Sequence, residues 1–94
     1  MNDDTATNAT MFADGFDDCI IGYVYDKTHS LHRIAYDQER MIETLMIRDD
    51  MSLDVAMEHL EFNTLDAYAG KGTPLYVNLC NDRKEMEDYL LTNQ

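Results

Sequence analysis

The residue pattern predicts an α+β fold in which a helix pair and a C-terminal helix pack on a small antiparallel sheet. Three observations carry this. Between Asp37 and Leu60 apolar residues recur at helical spacing in two blocks divided by Asp49-Asp50, Leu31 to Tyr36 and Leu75 to Leu79 are short extended segments, and a last amphipathic block follows Asn81-Asp82. The order of elements is therefore strand, two helices, strand, helix.

Met1 to Ala13 is rich in Asn, Asp, Thr and Ala, and after Met1 its large apolar side chains are only Met11 and Phe12. Burial there offsets little of the entropy of ordering, so residues 1–13 read as a flexible acidic arm and residues 14–94 as one domain. Asp17-Asp18 favours a helical first turn, whereas Ile20, Ile21, Tyr23, Val24 and Tyr25 are strand formers. Periodicity leaves helix or strand open for 16–25; a helical turn passing into extended chain is the reading adopted. Lys27 to Ser30 is a polar turn, and Leu31 to Tyr36 begins with alternation that suggests a strand.

Asp37 caps a helix that buries Met41, Ile42, Leu45 and Met46. Ser52 caps a second, with Leu53, Ala56, Met57 and Leu60 on one stripe and Asp54 near its positive end. The short connection makes the two an angled or antiparallel pair. Phe62, Leu65 and Tyr68 extend the apolar surface, and Gly70 and Gly72 end the helical region. Pro74 introduces Leu75 to Leu79, which pairs with Ile34 to Tyr36, and Asn81 or Asp82 caps a last helix turning Met86, Tyr89 and Leu90 inward.

Ninety-four residues suffice for one core. With 45% hydrophobic residues, six Tyr, three Phe and seven Met, the chain is far from the composition of a disordered protein. Nineteen acidic residues against seven basic ones give a net charge of -12. A field of that sign repels phosphate, which argues against direct nucleic-acid binding and against anionic membranes. It suits either solubility or steering toward a basic partner surface. Cys19 and Cys80 form no metal or disulfide pattern and read as free thiols in a reducing cytosol, each buried and structural. The acidic start lacks the features of a secretory signal, and no stretch has the roughly 18 apolar residues of a membrane span, so a soluble cytoplasmic protein is expected.

Tyr36, Asp37, Ile42, Asp49, Met51, Ser52, Glu61, Phe62, Asn63, Ala67, Tyr68, Gly70, Thr73 and Pro74 together resemble a group of small uncharacterised bacteriophage and bacterial proteins. The resemblance runs from Ile34 to Val77 and departs from the group at Asp50 and Asp66, where Gly is usual. It implies a phage-like origin, host-cell cytoplasm and a helix-pair architecture. No reaction follows from it. Small acidic phage proteins often disable host enzymes or defence complexes, anti-CRISPR proteins among them, an analogy with no chemistry of its own.

Catalytic signatures are weak. His29 and His32 form an HxxH near Asp26 and Asp37, yet no second dyad lies at ligand spacing, so neither a metal nor another cofactor is expected. His59 stands near Glu58 without a nucleophile motif, and Gly70-Lys71-Gly72-Thr73 lacks P-loop spacing and reads as a turn. The stronger pattern is Asp54, Glu58 and Glu61 at i, i+4 and i+7, with Glu39 and Glu43 on the first helix. Neighbouring carboxylates in such rows stand about 5–6 Å apart at Cβ, a scale similar to phosphates along a nucleic-acid strand.

The expected function is therefore a non-enzymatic, acidic interaction module. It would inhibit a host protein, such as a nuclease or CRISPR effector, by occupying its basic nucleic-acid-binding surface as a DNA mimic. Two alternatives stand beside it: a small metal-dependent enzyme or accessory factor around His29 and His32, and a homo-oligomeric structural protein associating through Met41, Met46, Met57 and Tyr68.

Overall fold

The hairpin is set by its turn. In the computed structural model, which describes residues 9–65 and 70–92, the Asp26 carboxylate accepts from the His29 backbone N–H (3.3 Å) and bonds His29 Nδ1 (2.9 Å). Ser30 takes a φ of 56°. Asp side chains hold turns in this way, and the left-handed residue reverses the chain. Strand β1 (Ile20–Asp26) consequently pairs antiparallel with β2 (Leu31–Asp37), with Tyr25 opposite His32 and Tyr23 opposite Ile34. The register shifts between Ile20 and Gly22, leaving Ile21 as an extra residue. A 3-10 turn at Asp17–Cys19 precedes β1, so residues 16–25 pass from helical turn to strand.

Helix α1 (Gln38–Arg48) starts where Asp37 Oδ1 accepts from the Arg40 backbone N–H (3.2 Å) and buries Met41 and Leu45. It stops at Asp49, and Asp50 adopts a φ of 54°, the left-handed position that usually falls to Gly at a helix end. Helix α2 (Leu53–Leu60) is capped by Ser52 Oγ, which accepts from Val55 N–H (3.3 Å), and packs on α1. It buries only Ala56 and Leu60; Leu53 and Met57, expected in the core, stay about half exposed. A π-helical turn, Glu61–Leu65, continues it.

Strand β3 (Leu75–Val77) pairs with β2 as expected but runs parallel to it, with Ala35 opposite Leu75 and Asp37 opposite Val77. The three-stranded sheet, ordered β1-β2-β3, is therefore mixed and not antiparallel. Its direction is set at the entry. Arg33 Nε donates to the Thr73 carbonyl (2.8 Å), so the chain joins β2 near its start and proceeds with it toward Asp37. Both helices lie in the crossover, as a parallel connection requires.

The core is Phe16, Cys19, Tyr36, Met41, Leu45, Ala56 and Leu60, with Ile20, Ile34, Ile42, Met46 and Tyr76 against it. Tyr36 is fully buried, and its hydroxyl accepts from Ala13 N–H (2.7 Å). Residues 10–13, expected in a flexible arm, are instead held at three points: Thr10 Oγ1 donates to the His32 carbonyl (2.7 Å), Met11 N–H to the Gly72 carbonyl (3.2 Å), and Ala13 N–H to Tyr36. Gly72 permits this approach, because a Cβ there would overlap the Ala9 carbonyl. Gly70, with a φ of 128°, makes the turn before it. Residues 1–8, Asp66, Ala67 and Tyr68 lie outside the described residues.

Helix α3 (Arg83–Thr92) opens with Asp82 Oδ1 accepting from Lys84 N–H (2.8 Å). Met86, Tyr89 and Leu90, expected to face inward, are exposed. The helix buries none of its residues. No helix among the described residues is long and apolar enough to cross a membrane.

Leu45→Ala is expected to cost about 2–5 kcal/mol in urea unfolding. Asp50→Gly should stabilise the protein by up to about 1 kcal/mol, by relieving the left-handed residue. Burial raises the Tyr36 and Tyr76 phenols above their ordinary range near 10. The unfolded chain ionises first, so this contribution is full below about pH 10 and lost as pH rises through the folded values. Tyr36→Phe should lower stability at neutral pH by about 1 kcal/mol yet shallow the fall seen on alkaline titration.

Candidate interaction surface

Asp54, Glu58 and Glu61 project from α2 and its C-cap, all exposed. At about 100° per residue they occupy an arc of about 60° on the side away from Ala56 and Leu60. Between the buried seam and this acidic ridge stand Leu53 (51% exposed) and Met57 (49%). Val55 (49%) flanks the other side, and Phe62 (70%) follows on the π-helical turn. The ridge is thus three carboxylates bordered on both sides by apolar side chains. Glu39 and Glu43 are exposed on the outward side of α1.

The cations do not answer these charges. Arg33 bonds the Thr73 carbonyl and lies 3.9 Å from Asp26; Arg40 donates to the Asp18 carbonyl (3.2 Å); Arg83 pairs with Glu87 (2.9 Å) and Lys84 with Asp88 (3.7 Å). Arg48 donates to the Gly15 carbonyl (2.8 Å), pairs with Asp49 (3.2 Å) and lies over the Phe16 ring at 5.5 Å. Among the described residues, Asp54, Glu58, Glu61, Glu39 and Glu43 make no ion pair. Their like charge is left to solvent or to a partner.

The histidines are engaged elsewhere. His29 is bonded to Asp26, and that bond, ahead of the opposing effect of burial, lowers the Asp26 pKa. His32 lies between two tyrosines, its ring centroid 5.4 Å from Tyr23 and 5.1 Å from Tyr25. Among the described residues no group of three or more His, Cys, Asp or Glu converges as a metal site. His59 meets Asn63, whose side-chain N–H donates to the His59 carbonyl (2.9 Å). Cys19 is buried with Sγ 3.5 Å from Thr44 Oγ1, but Cys80 is exposed, contrary to expectation, because the segment after β3 leaves the core. Gly70 to Thr73 forms a turn, with Thr73 N–H and Oγ1 both bonded to the Gly70 carbonyl (3.2 and 2.6 Å).

A cleft of about 230 Å³ lies between Met11 to Asp14 with Phe16, Asn63 with Thr64, and Thr73, Pro74 and Tyr76. Among the described residues its lining offers no histidine, cysteine or cation. Among the described residues, Thr73 is the one member of the candidate chemical motifs in that lining.

No family model, curated protein or solved structure matches this chain. The surface is consequently read from its own geometry. What sequence reasoning missed is the apolar border of the ridge. The signal was present: Leu53, Val55, Ala56, Met57 and Leu60 cover about 200° of the α2 circumference, wider than the apolar stripe of about 100° that a surface helix needs for its core. Met41 and Met46, which only the oligomer alternative placed on a surface, are fully and partly buried as the helix pattern predicts; Met57 is exposed and Tyr68 lies outside the described residues.

Because these carboxylates make no ion pair among the described residues, the combined change Asp54→Asn, Glu58→Gln and Glu61→Gln should move urea stability by no more than about 0.5 kcal/mol per site. Arg48→Ala, which strips Gly15, Asp49 and Phe16 of contacts, should be clearly destabilising in the same assay.

Proposed function

We propose that the protein is a cytoplasmic, non-catalytic interaction module whose acidic ridge on α2 occupies a basic surface of a host protein, of the kind that holds nucleic acid in a nuclease or CRISPR effector. One observation carries the reading: the ridge is exposed and uncompensated, while all four arginines are committed to carbonyls or to other carboxylates. Unpaired like charges on one helix cost stability, so their retention on an ordered surface fits recognition. The bordering Leu53, Met57, Val55 and Phe62 add what a phosphate backbone lacks, namely apolar contact area around a charged centre.

The ridge is about 10 Å long from Asp54 to Glu61, at 1.5 Å per residue. It would meet a few Lys or Arg side chains and not a whole channel. Electrostatic steering governs its association rate, and the apolar border its residence.

Displacement of duplex DNA from purified nucleases and CRISPR effectors by the intact protein is the test. Displacement should weaken steeply as salt is raised and be lost in a protein carrying Asp54→Lys, Glu58→Lys and Glu61→Lys. Undiminished displacement by that variant would refute the electrostatic reading, and no displacement from any effector would refute the partner class.

A further inference from the structure

Strand β1 is an edge of the sheet, and its outer backbone groups have no partner among the described residues. Edges of this length usually carry lysine, proline or a covering loop that blocks pairing with another chain. Residues Ile20–Asp26 contain neither lysine nor proline, and the bulge sits at the beginning of the strand, leaving Gly22 to Asp26 regular. Ile21, Tyr23, Val24 and Tyr25 are all exposed, Tyr23 at 70%.

We propose that two copies of this chain pair through β1, antiparallel across a two-fold axis at Val24, to form a continuous six-stranded sheet. Charge complementarity selects a second copy as the occupant. The strand is acidic at its start, with Asp17 and Asp18 exposed, and bears Lys27 just past its end, a cation with no ion pair among the described residues. Asp26, at the same end as Lys27, is already met by His29 and Arg33. Antiparallel pairing brings opposite ends together, so Lys27 of each copy approaches Asp17 and Asp18 of the other.

The register follows from the bulge. Centring on Val24 uses only the regular stretch and sets Tyr23 of one copy against Tyr25 of the other, twice. Opposed aromatic side chains are favourable cross-strand pairs, and here they extend the row that already includes His32. β3, at three residues, is too short to offer the same edge. The inference is independent of the α2 ridge, since the two surfaces lie on different elements.

Sedimentation velocity of the intact protein over a dilution series tests it. A monomer–dimer equilibrium is expected, shifting toward dimer as salt screens the repulsion between two copies of net charge -12, the opposite salt response to ridge binding. Val24→Cys in a Cys80→Ser background should form a disulfide-linked dimer under mild oxidation, whereas Leu79→Cys in that background should not. Tyr23→Lys with Tyr25→Lys should give a folded monomer by circular dichroism; if that variant fails to fold, the Val24→Cys cross-link decides. A chain monomeric at every concentration, a dimer that the lysines leave intact or that Val24→Cys fails to link, or a monomer that instead takes up an unrelated extended peptide on β1, overturns the proposal.

Discussion

The structure depends on one crowded place, the core-facing side of β2 around Tyr36. This residue lies in the middle strand, opposite Ile20 on β1 and Tyr76 on β3, and clusters with Met41 and Leu45 of α1 and Ala56 and Leu60 of α2. Its hydroxyl ties down the backbone at Ala13. A phenol that loses all contact with water must keep a hydrogen-bond partner, and the chain before β1 supplies one. Three strands, two helices and the incoming segment converge on one side chain.

A core this small has consequences at the surface. Among the described residues seven side chains form its buried cluster, while large apolar residues such as Tyr23, Ile47, Phe62 and Leu91 stay exposed. Part of that surplus lies on α3, and two further parts lie where a partner could meet them. On α2 it borders a row of carboxylates, and on β1 it lines an unpaired strand edge. A charge of -12 favours solubility and repels other acidic surfaces. In the proposed readings, a basic patch would be drawn to the ridge, while a second copy would have to overcome repulsion through backbone pairing and the Lys27 contact.

Local chemistry was legible wherever it acts over a few residues. Asp37 and Ser52 were readable as caps because a side-chain oxygen needs only the N–H three residues on, and Lys27 to Ser30 as a turn because Asp26, Ser30 and their neighbours are turn formers. The outward placement of Asp54, Glu58 and Glu61 followed from helical geometry alone. Less was legible about burial. Leu53, Met57, Met86 and Leu90 sit at spacings that suit a core, but spacing states which residues share a side, and not whether a partner surface remains to receive that side.

By itself, then, the sequence determined the helix pair and the extended segments on either side of it, the caps of α1 and α2, the acidic balance and the position of the carboxylate rows, since each depends on near neighbours or on simple counts. Tertiary structure alone decided the rest: β3 runs parallel to β2, with Arg33 bonded to Thr73 at its entry, residues 10–13 are docked where Gly72 leaves room for Ala9, and α3 leaves Met86, Tyr89 and Leu90 exposed. Those outcomes turn on contacts between residues far apart in the chain, competing for one limited surface, and no local pattern encodes which competitor wins.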